Sequence, residues 1–227
     1  MSNCTFLEDA TIEECNSLRF ISRAQLPSTL KRLEIIKCEN LQLVVDEENL
    51  NTSLLERLEI KDCPSLKCLS STGGLPATLK ILLIERCSEL TSLSSSGQLP
   101  IALKHLYVES CPKLESVADK LHNNVSLEHL EIRYCEKLKS LPEGLHKLCH
   151  LIELFIWECS SLVSFPDGGL LPTSLRDLSI FRCEKLEALP NRMHNLTSLH
   201  DLSVRDCGSI ISFPEEGYPT NLTSLEL

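Results

Sequence analysis

Cysteine is the residue type with the clearest chemical potential in this sequence, since 12 of the 227 residues are cysteines. Thiolates form disulfides, bind zinc or act as nucleophiles, and their spacing distinguishes these uses. No C-x-x-C pair occurs, so zinc binding and thioredoxin-like chemistry are disfavoured. Cys4, Cys68 and Cys149 carry no motif. The other nine are regularly spaced, at Cys15, Cys38, Cys63, Cys87, Cys111, Cys135, Cys159, Cys183 and Cys207.

These nine cysteines mark an internal repeat. Their intervals are 23, 25 and then 24 six times, and a constant period of this length is typical of solenoid proteins. Aligned on the cysteine at position nine, the unit reads L-x-x-L-x-I-x-x-C-x-x-L-x-x-L. Position one is leucine in every unit, from Leu7 to Leu222, and position six is Ile or Val from Ile12 to Val204.

The repeat predicts the fold. Apolar and polar residues alternate around positions four and six, as in a short strand with one buried face. Strands one repeat apart then pair in parallel at about 4.8 Å. We predict an α/β solenoid, a curved horseshoe with a parallel sheet on its concave face. Loops, 3₁₀ turns and short helices form its convex face, and two helices are predicted to begin at Pro142 and Pro190.

In such a solenoid the cysteines from Cys38 to Cys207 form a ladder of structural thiols. Cysteine serves there as a small, mostly apolar residue with a weak S–H donor. Neighbouring cysteines lie within nominal disulfide reach. However, parallel side chains in a packed column do not point at each other, and nine is an odd number, so disulfides are not expected.

The repeating pattern of leucine, isoleucine and cysteine positions resembles the leucine-rich repeat family over essentially the whole chain. Two units continue as C-x-x-L-x-x-L-P, at residues 135–142 and 183–190. This motif is similar to the repeat region of plant intracellular nucleotide-binding leucine-rich-repeat immune receptors. The resemblance implies a cytoplasmic recognition and autoinhibition region active in disease resistance. Its implied partners are pathogen effectors, guarded host proteins or the receptor's own nucleotide-binding domain.

We expect a single leucine-rich repeat domain over residues 1–227, with about nine full repeats of ~24 residues and a truncated tenth. No G-x-x-x-x-G-K-[ST] motif occurs, so the nucleotide switch of those receptors is not in this polypeptide. Solenoid ends need polar caps to cover the core, and neither end of the sequence supplies one. We therefore expect a fragment of a longer chain.

Charge and hydropathy exclude several classes of partner. The net charge is −10, from 22 Lys+Arg against 32 Asp+Glu. This balance, with no Lys/Arg run, disfavours nucleic acids and anionic membranes. No stretch of about 18 apolar residues predicts a membrane span. Because no secretory signal is present, we interpret the N-x-[ST] sequons as inert. They begin at Asn3, Asn51, Asn124, Asn195 and Asn221.

Aromatic residues indicate a binding surface. Positions three, five, seven and eight of each unit are predicted to face the concave side, and five of the ten aromatics fall there, including the single Trp. Exposed aromatics cluster where a partner covers them, although aromatics also stabilise sheets through cross-strand pairing. The predicted partner-binding residues are Leu83, Tyr107, Glu131, Arg133, Tyr134, Phe155, Trp157, Phe181 and Arg205.

His105, His129 and Glu153 share position three of successive units, where two imidazoles and a carboxylate are a possible transition-metal set. Exposed imidazoles on a sheet are far commoner than metal sites, so we predict no metal and no cofactor, and favour a pH-sensitive interface. No Ser/His/Asp or Cys/His arrangement stands out, and an open sheet lacks the closed pocket that catalysis needs. We therefore predict no catalytic residues and a binding module rather than an enzyme.

Two other interpretations stay open. A free-standing intracellular leucine-rich-repeat adaptor in signalling or ubiquitin ligation would be indicated by an F-box-like segment upstream. An extracellular receptor ectodomain would be established by carbohydrate on Asn51, Asn124 or Asn195.

Overall fold

The computed structural model describes residues 4–21, 26–44, 54–70, 74–93, 97–121, 126–211, 214 and 216–227. Within these ranges ten strands form one parallel sheet in chain order, so each strand pairs with that of the next repeat. The strands are β1 (Asp9–Glu13), β2 (Arg32–Ile36), β3 (Arg57–Lys61), β4 (Ile81–Glu85), β5 (His105–Glu109), β6 (His129–Arg133), β7 (Glu153–Trp157), β8 (Asp177–Phe181), β9 (Asp201–Arg205) and β10 (Ser224–Glu226).

The first nine strands occupy positions three to seven of the unit, where positions four and six are apolar. In β6 the leucine and isoleucine at positions four and six, Leu130 and Ile132, are fully buried. They pair in register with Leu154 and Ile156 of β7. Because the register is constant, equivalent apolar residues stack into columns. The predicted leucine-rich-repeat solenoid is thereby confirmed.

The C-x-x-L segment turns the chain from the sheet back through the interior. The amide of Leu138 donates to the carbonyl of Cys135 at 3.1 Å, and Leu162 and Cys159 repeat this bond at 3.1 Å. Both leucines are fully buried. Burying a leucine side chain stabilises a fold by about 1.5–3 kcal/mol, so burial of its leucine in the core stabilises each turn.

The column cysteines lie inside this core. All seven from Cys38 to Cys183 have no exposed surface, whereas Cys15 is exposed and Cys207 is half-buried, and all are free thiols. The Cys159 thiol lies 3.6 Å from the carbonyl oxygen of Trp157 and 3.9 Å from that of Ile132 in the preceding repeat. It therefore donates weakly to backbone acceptors rather than facing its neighbouring cysteine.

The residue before each column cysteine has a left-handed backbone, and none of these residues is glycine. Their φ angles lie between 49° and 55°. The strand's hydrogen-bonding ladder continues through this residue, as the amide of Tyr134 donates to the carbonyl of Trp157 at 2.9 Å. The left-handed residues are Glu14, Lys37, Asp62, Arg86, Ser110, Tyr134, Glu158, Arg182 and Asp206.

The predicted starts of the two helices on the convex face are wrong. Short helices do occur in the two expected units, but they are 3₁₀ helices at Leu145–Lys147 and Met193–Asn195, so they begin three residues after Pro142 and Pro190. The residues just before them, Gly144 and Arg192, have left-handed backbones. This reversal separates each proline from the helix, so neither proline occupies a first helical position.

Two of the five sequons fall in described parts of the chain. Asn195 ends the second 3₁₀ helix, and the side-chain amide of Asn221 donates to the carbonyl of Thr197 at 2.7 Å. Asn3, Asn51 and Asn124 lie outside the described residues. Among the described residues, no helix has both the length and the apolar run that crossing a membrane requires.

Candidate functional site

Three columns of side chains cover the concave side of the sheet. Since side chains alternate along a strand, positions three, five and seven face away from the core residues at positions four and six. At position five the register places Leu83 beside Tyr107, Tyr107 beside Glu131, and Glu131 beside Phe155. Four of the predicted partner-binding residues therefore form one continuous column across β4–β7.

Position seven holds a second such column. Arg133 pairs with Trp157, Trp157 with Phe181, and Phe181 with Arg205 along β6–β9. The two columns are adjacent, because positions five and seven lie on the same face of each strand. The structure thus brings eight of the nine predicted partner-binding residues into one surface.

Tyr134 differs from the prediction. It was expected on the concave strand, but β6 ends at Arg133, and Tyr134 is the left-handed residue of the following turn. Its side chain is 42% exposed. A bulky residue with positive φ is strained, and the strain is tolerated here because the backbone ladder holds the turn. Tyr134 consequently flanks the concave surface from the edge of the sheet.

Three aromatic rings form the centre of the surface, and we call Phe155, Trp157 and Phe181 the aromatic patch. The Trp157 ring centroid lies 6.4 Å from that of Phe155, with an angle of 36° between the ring planes. It also lies 6.4 Å from the centroid of Phe181, with the planes at 76° in an edge-on arrangement. The indole Nε1 donates to the Ser179 hydroxyl at 3.1 Å. The rings are half-buried, rather than exposed as predicted, because Trp157 packs against Phe155 of its own strand and against Phe181 of the next strand, about 4.8 Å away.

A guanidinium group lies on the face of the tryptophan. The Cζ of Arg133 is 3.8 Å from the Trp157 ring centroid, a cation–π geometry that contributes about 0.5–2 kcal/mol depending on solvation. Arg133 also forms an ion pair with Glu131 of the same strand. Burial nonetheless raises the pKa of the Glu131 carboxyl, although Arg133 opposes this shift. The charge of Glu131 is therefore incompletely compensated in the unbound surface.

The two ends of the concave surface differ in charge. In β2 and β3 the charges compensate each other, as Lys61 lies 3.5 Å from Glu34 and 2.9 Å from Glu59. In β8 and β9 two carboxylates are paired in register instead, Asp177 and Asp201. Burial and the neighbouring Asp201 raise the pKa of Asp177. Among the described residues neither carboxylate forms an ion pair, in contrast to the acidic residues of β2 and β3.

The histidine column has contacts that spacing alone did not predict. The rings of His105 and His129 are stacked, with centroids 4.5 Å apart and planes at 9°. Nδ1 of His129 is 2.9 Å from Oε2 of Glu153. Burial, and then the charge of His129, lower the pKa of His105. Both histidines occupy position three, beside Tyr107 and Glu131 at position five.

Three residues of the surface were missed in the sequence. Ser179 fixes the indole of Trp157, and Asp177 and Asp201 add two carboxylates without an ion pair among the described residues. The two aspartates share position three of successive units, which the sequence alone could have shown. The role of Ser179 depends on side-chain conformation, which the sequence does not show. Arg182 fits the polar rim expected from the sequence, with its Cζ 4.7 Å from the Phe181 ring centroid.

Comparison with solved structures gives the class of protein. The leucine-rich repeat domain of the type III effector XopL superposes with a TM-score of 0.72 at 24% identity, over 96% of this chain and 75% of that one. The chain thus has a leucine-rich-repeat fold, with a parallel sheet whose concave face carries the surface described above. At this level of identity the likeness establishes the fold alone.

Two further structures are much less similar. The pneumococcal vaccine antigen PcpA gives a TM-score of 0.32 at 14% identity, over 91% of this chain and 67% of that one. CroV588, a circular leucine-rich-repeat protein, gives 0.18 at 18%, over 93% and 46%. No protein-family model and no curated protein matches the sequence.

Proposed function

We propose that this chain is the protein-recognition and regulatory module of a plant-type innate immune receptor. Its partner is a pathogen effector, a guarded host protein or the receptor's own nucleotide-binding domain, and it binds on the concave face by protein–protein contact. The C-x-x-L-x-x-L-P units support the receptor class. We infer a binding role rather than a catalytic one, since the concave surface formed by the described residues is an open sheet without an enclosed pocket of convergent polar groups.

The aromatic patch with Arg133 on its face is the observation that carries this proposal. Tryptophan and arginine are the residues most enriched in binding hot spots, which lie near the centre of an interface inside a polar rim. Here Trp157 and Arg133 are central, while Glu131, Arg205 and the β8–β9 carboxylates surround them. Rim charges of this kind set orientation and association rate more than affinity.

The direct test removes the rings. We expect Trp157→Ala with Phe181→Ala to weaken partner binding by at least about 30-fold, the equivalent of about 2 kcal/mol. The matched control is Ile101→Ala with Val163→Ala, which removes apolar side chains that are 59% and 38% exposed outside the strands. Affinity is measured by calorimetry with each candidate partner, and circular dichroism verifies the fold of both double variants.

Equal affinities for the two double variants, with native circular dichroism, would remove the aromatic patch from the binding surface. The receptor class is tested separately, in the reading frame around this sequence. A G-x-x-x-x-G-K-[ST] motif there, together with effector-dependent cell death in leaves that Trp157→Ala/Phe181→Ala abolishes, is the expected result. An F-box-like segment in its place would favour the adaptor.

A further inference from the structure

One cluster on the concave face has the chemistry of a metal site. Among the described residues, His105, Glu128 and His129 bring two imidazoles and a carboxylate together, with one potential ligand atom from each lying within 4.8 Å of the others. His105 and His129 are cross-strand partners on β5 and β6. Glu128 directly precedes β6, so its carboxylate reaches the same edge of the sheet.

A second carboxylate orients one of the imidazoles. Oε2 of Glu153, on β7, accepts a hydrogen bond at 2.9 Å when the proton of His129 is on Nδ1. That tautomer leaves the Nε2 lone pair free for a ligand bond. A carboxylate behind a histidine is the usual outer-shell partner in metal sites, where it fixes the ring and raises its basicity. Glu153 therefore supports the site without being a ligand itself.

We propose that His105, His129 and Glu128 bind a divalent transition-metal ion such as Zn²⁺, with Glu153 as the positioning residue for His129. Two imidazoles and one carboxylate suit Zn²⁺ and its first-row neighbours, and three protein ligands leave a fourth position for water. This site does not depend on the proposed function.

The geometry requires a small rearrangement on loading. Bonds of about 2.0–2.2 Å in a tetrahedral arrangement separate ligand atoms by about 3.4 Å. The parallel rings must tilt toward each other, and the ligand atoms, which lie within 4.8 Å of one another, must approach by up to about 1.4 Å to reach that separation. Lys104 holds Glu128 through Nζ and Oε1 at 2.6 Å, so the other carboxylate oxygen is the one offered to the cation.

Calorimetric titration with Zn²⁺ alone tests the site in the complete chain. The exposed thiols would compete for zinc, so all variants carry the Cys4→Ser, Cys15→Ser and Cys149→Ser background. The expected result is one saturable Zn²⁺ equivalent. His105→Gln, His129→Gln and Glu128→Gln each weaken its affinity at least about tenfold, and Glu153→Gln weakens it about 10–100-fold.

His146→Gln is the matched control, since Nδ1 of His146 lies 3.3 Å from Oδ2 of Asp167 in a histidine–carboxylate pair elsewhere in the chain. Its affinity for Zn²⁺ should equal that of the background. Imidazole C–H resonances of His105 and His129 should shift on titration while that of His146 does not. Absence of saturable binding, or background affinity in folded His105→Gln and Glu128→Gln proteins, would overturn the proposal.

Discussion

The contact between Arg133 and Trp157 makes a measurable contribution to stability, and a double-mutant cycle isolates it. Arg133→Met removes the charge but keeps the length of the side chain, and Trp157→Leu removes the aromatic face but keeps an apolar group. Cation–π pairs contribute about 0.5–1 kcal/mol when exposed and about 2 kcal/mol when desolvated. The Arg133 side chain is 28% exposed, so we expect a coupling energy of about 1 kcal/mol.

The cycle also removes a confounding effect. Arg133→Met leaves the half-buried Glu131 without its ion-pair partner, but this cost occurs in both the single and the double variant and cancels in the coupling energy. A second cycle, Arg182→Met with Phe181→Leu, serves as the control. There the Cζ-to-centroid distance is 4.7 Å and the arginine is 55% exposed, so the coupling should be smaller, about 0.5 kcal/mol.

The free energy of unfolding of each variant is obtained from urea denaturation followed by far-ultraviolet circular dichroism, which does not depend on the tryptophan. The effects of two mutations at independent sites on the free energy of unfolding add within about 0.3–0.5 kcal/mol. A coupling energy inside that margin for Arg133 and Trp157, or one no larger than that of the control pair, would refute the argument that burial strengthens this contact.

Three further predictions concern titration, sterics and reactivity. Because burial raises the pKa of Glu131 above 4.5, its protonated form is favoured in the folded state, so wild-type stability relative to Glu131→Gln should fall as pH rises through the folded pKa; urea titrations across this range that show the reverse slope would contradict it. Gly168→Ala and Gly169→Ala both place alanine at positive φ, costing about 1–2 kcal/mol. Only at Gly169 would the new Cβ lie 2.8 Å from a backbone nitrogen, which should add about 1 kcal/mol or more to the loss of stability. Thermal denaturation measures both losses, and equal losses would contradict the steric argument. Burial raises the pKa of Cys63 and Cys159 to about 11, so a thiol reagent at neutral pH should label them only after unfolding, and rapid labelling of all cysteines in the native protein would contradict this.

The sheet was predictable because the apolar pattern is imposed by burial. Positions four and six, Leu130 and Ile132 in β6, are apolar in every unit from β1 to β9, and an apolar pattern with a constant period admits one register. The left-handed turn residue was not predictable. Ser110 and Tyr134 have no preference for positive φ, and the ladder bonds of the neighbouring repeats, which are tertiary, impose this conformation on them.

The candidate site was predictable in its columns but not in its contacts. Alternation placed Trp157 and Phe181 on one face, whereas Tyr134 was misassigned because the end of a strand depends on backbone angles that the pattern does not encode. The stacking of Arg133 on Trp157 and the approach of Glu128 to His129 depend on rotamers. A repeat of 24 residues predicts the strand position of each residue but not the rotamer of its side chain.

The size of the concave surface determines what kind of ligand it suits. Six strands about 4.8 Å apart, each five residues long at about 3.3 Å per residue, present roughly 29 by 16 Å, or about 460 Å². A typical protein interface buries about 800 Å² on each partner. The sheet from β4 to β9 therefore provides the central part of such an interface, and the partner has to extend beyond it, either onto the neighbouring strands or onto the turn that follows the strands. Tyr134 and Arg182 lie in that turn, so the turn gives a partner an aromatic and a cationic side chain next to the strands that carry the aromatic patch.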